Sequence, residues 1–169
     1  MAQYLIRNGA SAPTSAMTKV GTGTALKTML QVKASATKPA KIVEWGISFD
    51  GSAAATPIRV ELLETDIAAV VTAHAAAGIN KLDPEAVAGG DPTTNLFPVG
   101  VSGTGYTATT EGAPTSARVF DFQLVAPTNQ YVKQFPLGRE PVIQVSKFAR
   151  IRLRAATAVS AYCYLIVEV

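Results

Sequence analysis

From Leu26 the chain alternates in character: Leu26, Thr28, Leu30 and Val32 fall on one face, with Lys27, Met29, Gln31 and Lys33 on the other. A period of two predicts a strand. After the Lys38-Pro39-Ala40-Lys41 turn, Val43, Trp45, Ile47 and Phe49 oppose Glu44, Gly46 and Ser48, and Asp50-Gly51 supplies a turn signal. Ile58, Val60 and Leu62 then alternate with Arg59 and Glu61, the mark of a strand with one buried and one wet face. Residues 66–79 mix helix-favouring alanine with a strand-favouring Val-Val-Thr centre, and are read as a strand running into a loop.

Between Asn80 and Ser116, Pro84, Gly89-Gly90, Asp91-Pro92, Gly100, Gly103, Gly105 and Pro114 interrupt every periodic run. A long irregular loop over 80–116 is therefore expected, placed at an interface or an outer tip. Regularity returns with Phe120, Phe122 and Leu124 alternating against Val119, Asp121 and Gln123, followed by short strands at Tyr131–Phe135 and Val142–Val145. Then Ala149, Ile151, Leu153 and Ala155 alternate with Arg150, Arg152 and Arg154, and Ala161–Val169 is apolar on both faces apart from Glu168, as a strand covered on each side would be. Eight or nine strands with turns between them predict an all-β fold, a jelly-roll-like antiparallel β-sandwich forming one domain over 1–169. Residues 1–24 are candidates for an extended N-terminal arm through Ala12-Pro13-Thr14-Ser15 and Gly21-Thr22-Gly23, anchored by Tyr4, Leu5 and Ile6. The competing reading makes Tyr4-Leu5-Ile6 an edge strand of its own subunit.

Composition adds a constraint on the surface. The chain is 48% hydrophobic and 16% charged, against the roughly 25% charged of an average soluble domain, so coverage by other subunits is expected. The net charge of +3 is too small to argue for nucleic acid, but it is unevenly distributed: +6 over residues 1–41, −7 over 42–117 and +4 over 118–169. Opposite patches of this kind would steer and register assembly between copies more than they add affinity; the plainer reading is that the charges mix on folding. Residues 1–7 lack the basic start and apolar run of a secretory signal. No apolar stretch nears the roughly 20 residues of a membrane span, and no membrane role is expected.

Candidate chemistry is sparse. A Ser-His-Asp or Cys-His arrangement must recruit His74, the one histidine, which sits among alanines and reads as a half-buried side chain bonded to backbone. Cys163 alternates with Ala161 and Leu165 and reads as a small apolar group. One His and one Cys do not build a zinc site. Asp83, Glu85 and Asp91 offer oxygen ligands without an EF-hand spacing, and Gly21-x-Gly23 and Gly103-x-Gly105 lack the rest of a phosphate loop. Neither a cofactor, a metal nor an enzymatic role is expected; Glu61 and Asp121, imaginable as a glycosidase pair, have nothing in the sequence to bring them together. Arg150, Arg152 and Arg154 project the same way from one strand and are candidate subunit or partner contacts, with a solvated face as the plainer reading. Tyr162 and Tyr164 share a face of the last strand and keep glycan binding open, whereas Trp45 reads as core.

Two blocks carry a resemblance: Val43-Glu44-Trp45-Gly46-Ile47-Ser48-Phe49-Asp50-Gly51 with Pro57-Ile58-Arg59-Val60-Glu61-Leu62, and Tyr131-Val132-Lys133-Gln134-Phe135-Pro136-Leu137-Gly138-Arg139-Glu140-Pro141. They resemble bacteriophage virion structural proteins. The resemblance, over about residues 26–169, implies an accessory capsid protein of the decoration or cement kind, a homotrimer in the virion that contacts the major capsid protein. A phage tail component and a glycan-binding β-sandwich module are the alternatives.

Overall fold

The computed structural model describes residues 1–10, 16–52, 56–91 and 95–169. In chain order its strands are β1 (Gln3–Arg7), β2 (Val20–Gly21), β3 (Lys27–Lys33), β4 (Ala40–Asp50), β5 (Ile58–Thr65), β6 (Val70–Ala73), β7 (Ile79–Lys81), β8 (Gly105–Thr110), β9 (Ala117–Val125), β10 (Gln130–Gln134), β11 (Val142–Ile143), β12 (Phe148–Arg154) and β13 (Ser160–Glu168). Among the described residues the only helical element is a single 3₁₀ turn at Ala76–Gly78.

The strands form two antiparallel sheets. The seven-stranded sheet runs β10-β4-β13-β1-β7, with β11 beside β4 and β2 beside β13. The six-stranded sheet runs β6-β8-β3-β12-β5-β9. Successive strands β3, β4 and β5 change sheet at each step, as do β9 and β10, β11 and β12, and β12 and β13. This wrapping makes a jelly-roll-like sandwich whose one continuous core fills the space between the sheets. Trp45, Leu62, Ile151 and Leu165 in that core are fully buried.

Alternation predicts faces well where the ladder is unbroken. Ala149, Ile151, Leu153 and Ala155 are buried as expected, whereas β13, expected to be covered on each side, is buried on its inner face and only half-buried on its outer one. Three register shifts change the outcome elsewhere, because one extra residue moves all following side chains to the other face. In β3, Ile151 pairs with Leu30 but Arg152 pairs with Thr28, so Met29 is the extra residue. Met29 joins the core, and Thr28 turns outward to donate through Oγ1 to Glu111 at 2.7 Å. In β4, Ile166 pairs with Glu44 and Val167 with Ile42, leaving Val43 half-buried while Ile42 is buried in its place.

The third shift is in β9. Leu62 pairs with Asp121 and Leu63 with Val119, so Phe120 is extra. Asp121 enters the sandwich, 8% exposed, and Phe122 and Leu124 face water at 69% and 73%. The Asp121 carboxylate accepts from the Trp45 indole N–H at 3.2 Å and the Tyr131 hydroxyl at 2.9 Å, and pairs with the Lys133 ammonium at 3.0 Å. Trp45 and Tyr131 also meet edge-on at 5.3 Å between ring centres. One carboxylate thus ties edge strand β9 of the smaller sheet to β4 and edge strand β10 of the larger.

Two expected features are corrected. The first 24 residues are not a free arm at either described end: Tyr4-Leu5-Ile6 is a strand of its own subunit, as the competing reading has it, but an interior one, since β1 lies between β13 and β7 with Tyr4 and Ile6 fully buried. Period-two apolar residues suit the inner face beside β13, and Asn8 seals the join by bonding Ala161 and Cys163 backbone at 3.1 and 2.8 Å. Val20–Gly21 pairs with Ala161 and Ser160. The arm's Ala12-Pro13-Thr14-Ser15 stretch, like Pro92, lies outside the described residues.

Nor is 80–116 wholly irregular or peripheral. It contains β8, and it buries Ala86, Leu96 and Phe97. Phe97 packs edge-on against Tyr4 at 5.2 Å, and Gly89 comes so close to Tyr4 and Ile79 that a side chain would not fit. The glycines that hide periodicity are what allow this segment to close one side of the core.

Replacing Asp121 by alanine leaves the buried indole N–H without its acceptor and is expected to cost about 2–3 kcal/mol. Urea unfolding checks this, with Asp121→Asn, which keeps an acceptor, losing less.

Candidate interaction surfaces

The arginine stripe of β12 is not one surface. Arg150 is fully buried on the outer side of the smaller sheet. Its guanidinium donates to the carbonyls of Glu111, at 3.0 Å, and Ile67, and lies 3.5 Å from the Glu111 carboxylate. The segments around Ile67 and Glu111 fold across it, so alternation correctly set its direction but not its cover. Arg152 pairs with Glu61, which also meets Arg59 at 3.4 Å. Of the three only Arg154 is exposed. Arg150 is accordingly withdrawn as a partner contact and acts as a structural cation, and Tyr4 and Ile6 are withdrawn because they are core.

Other candidate groups are engaged internally. His74 is buried at 4% exposure, with Nε2 2.7 Å from the Arg7 carbonyl and its ring against Tyr106 at 4.9 Å. Burial holds its imidazole below the ordinary value, which favours the neutral form. Cys163 is buried and burial pushes its thiol up, away from the reactive thiolate. Glu61 and Asp121 sit at successive rungs of the β5–β9 ladder and point to opposite faces of the sheet. No group of three or more His, Cys, Asp or Glu side chains among the described residues is placed to hold a metal ion. No helix among them is long and apolar enough to cross a membrane.

The outer face of the larger sheet carries Tyr162 and Tyr164. Tyr164 lies across Gly46, its cross-strand partner, so closely that a Cβ there would stand 2.5 Å from the ring, and its hydroxyl donates to Glu44 at 2.6 Å. Tyr162 donates to the Met17 carbonyl at 3.4 Å. With Leu5, Arg7 and Ile166 they line an open depression of about 360 Å³. Leu5 belongs here, half-buried, rather than to the core.

The second surface is the flank where β9 and β10 end their sheets. Val119, Phe122 and Leu124 are all more than half exposed there, and with Arg59 they border a depression of about 510 Å³. The acids of this flank are buried and matched: Glu64 by Arg118 at 2.8 Å, Asp121 by Lys133, Glu61 by Arg59 and Arg152. Its cations reach water, the Arg59 and Arg118 side chains being 68% and 48% exposed. Sequence alternation located β9 but could not say which face was inside; the buried Asp121 decides that.

Comparison of the chain with protein-family models, with curated proteins and with solved structures finds no match in any of the three.

Burial, with the acids beside them second, raises Tyr131 and Tyr164 to about 12. Unfolded tyrosines ionise near 10, so the native state holds more protons between those values. Stability is fully present below pH ~10 and falls as pH rises toward ~12. Burial raises the Tyr4 hydroxyl as well, so ultraviolet titration of phenolate should show three late tyrosines, and Tyr164→Phe should remove one of them. Gly46→Ala should drive the Tyr164 ring off the sheet and break its bond to Glu44, read as a Tyr164 that ionises earlier.

Proposed function

We propose that the chain is a structural protein that acts by docking onto other protein subunits, as an accessory component of a phage particle that decorates or cements the capsid. The observation that carries the docking part is the β9 flank: a nine-residue strand, paired with β5 on one side only, that presents Phe122 and Leu124 to water at 69% and 73% exposure. The bulge at Phe120 and the inward Asp121 guard the free edge itself against strand pairing, so it is the outer face of the strand, with its cluster of large apolar side chains in water, that marks a surface meant to be covered. The phage part is supported by the resemblance of the β4–β5 and β10 blocks to virion proteins. The partner on the particle is then the major capsid protein, and the mechanism is burial of apolar surface across subunit joints.

A second reading, glycan binding, is favoured by one observation. Tyr162 and Tyr164 line an open depression beside Glu44 and Arg7, and stacking rings next to charged groups suit a sugar. A tail location fits the same contacts as a head location.

The test is co-sedimentation of the purified protein with phage heads stripped of accessory proteins. Binding at a fixed ratio to the major capsid protein, with heads that survive higher temperature, is the expected result. No binding to heads, together with retention on immobilised glycans that is lost in Tyr162→Ala, would replace this reading with the second.

A further inference from the structure

The two flanks of the sandwich differ in kind. On one, β9 and β10 lie side by side, joined through Asp121. On the other, β7 ends the larger sheet and β6 the smaller, and His74, the residue after β6, bonds the Arg7 carbonyl at the end of β1, the strand beside β7. From this second flank the segment after β7 projects, with Leu82 48% and Val87 54% exposed around the exposed Glu85 and half-exposed Asp83. Leu82 is fixed by donating its N–H to the Gln3 carbonyl at 2.9 Å, and Asp83 accepts from the Glu85 N–H at 3.0 Å. The cation nearest in sequence, Lys81, is turned onto the Pro84 carbonyl, and no further basic residue follows it along the chain until Arg118.

One flank is therefore apolar with exposed cations, and the opposite flank is apolar with exposed anions. We propose that these two surfaces dock on each other between copies of this chain: the 82–87 segment of one copy packs on Phe122 and Leu124 of the next, with Glu85 and Asp83 facing Arg59 and Arg118. This deepens the docking reading above and rests on it. Charge complementarity chooses a second copy as the occupant, and it orients the contact. Two β9 flanks brought together would oppose arginine with arginine, whereas a β9 flank against the 82–87 flank pairs opposite charges. Because the two surfaces lie on opposite sides of one subunit, the contact is head-to-tail, and such contacts build a ring where the rotation closes and an open filament where it does not, rather than stopping at a two-fold dimer.

The experiment uses one blocked variant for each flank, Leu124→Asp and Val87→Asp, both at exposed positions and both checked for native strand content by circular dichroism. Masses are read by light scattering over a range of concentration and salt. The wild type is expected above twice the single-chain mass of 17.6 kDa, as a fixed multiple for a closed ring or a mass that grows with concentration for an open filament, weakening in either case as salt rises, and each variant alone at the single-chain mass. Mixed in equal amounts, the two variants still share one intact joint, so the mixture should reach twice the single-chain mass and stop there. A wild type that is monomeric throughout, either variant retaining the wild-type mass, or a mixture that stays monomeric would each overturn the head-to-tail contact. A monomeric wild type that still binds phage heads would separate this failure from that of the docking reading itself.

Discussion

The structure turns on a carboxylate placed between two sheets. Asp121 is on the inner face of an edge strand because Trp45 and Tyr131 present buried donors that need an acceptor there, and an unmatched buried donor costs more than the bond itself contributes. The consequence is a register in which Phe122 and Leu124 face water. A slip by one residue would bury both, each worth about 1.5–3 kcal/mol if fully covered, and would expel the carboxylate from its three partners. The chain keeps the polar tie and leaves the apolar pair outside. The same tie brings the β9 and β10 edges together, so a local hydrogen-bond requirement sets the character of a whole flank.

Electrostatics follows the same division between inside and outside. Around β9, the acids are buried against cations whose other atoms reach solvent, and the outward charge is positive although Glu61, Glu64 and Asp121 are all nearby. Around 82–87 the acids themselves are the exposed groups. The uneven charge along the sequence mixes in part on folding, through Lys19–Asp50, Arg118–Glu64, Arg150–Glu111 and Arg152–Glu61, and what still reaches water differs in sign between the two flanks. Arg150 is the exception that shows the cost of burying such a group: it requires two carbonyls and a carboxylate drawn from segments distant in sequence.

Much of the sandwich was legible because half-covered strands advertise themselves by period two. The inward residues of β12 and the central place of β13 read correctly, and Trp45 was recognised as core from its neighbours, but the outer face of β13 is half-covered rather than covered. What failed did so for definite reasons. The extra residues at Met29, Val43 and Phe120 have no composition that marks them, since a bulge is a property of two strands in register. The burial of Arg150 depends on a covering layer from residues near 67 and 111, invisible in its own strand. β8 and the buried Phe97 were hidden among glycines whose closeness to Tyr4, Ile79 and Ala76 could be appreciated only in three dimensions. For the docking surfaces, the sequence showed the charge blocks and the tyrosine pair but not the apolar flank.

The placement of β1 bears on how the protein reaches this state. β1 is flanked on one side by β13, with Gln3 opposite Glu168, 165 residues away, and β13 is also the central partner of β4. The larger sheet therefore has no complete centre until the most distant segments of the chain have met. Pairings with such long closures slow folding and lengthen the life of partly formed intermediates. During that interval Tyr4 and Ile6, which end fully buried, have no sheet to enter, and their half of the molecule is the part most dependent on chaperones or on dilution during refolding.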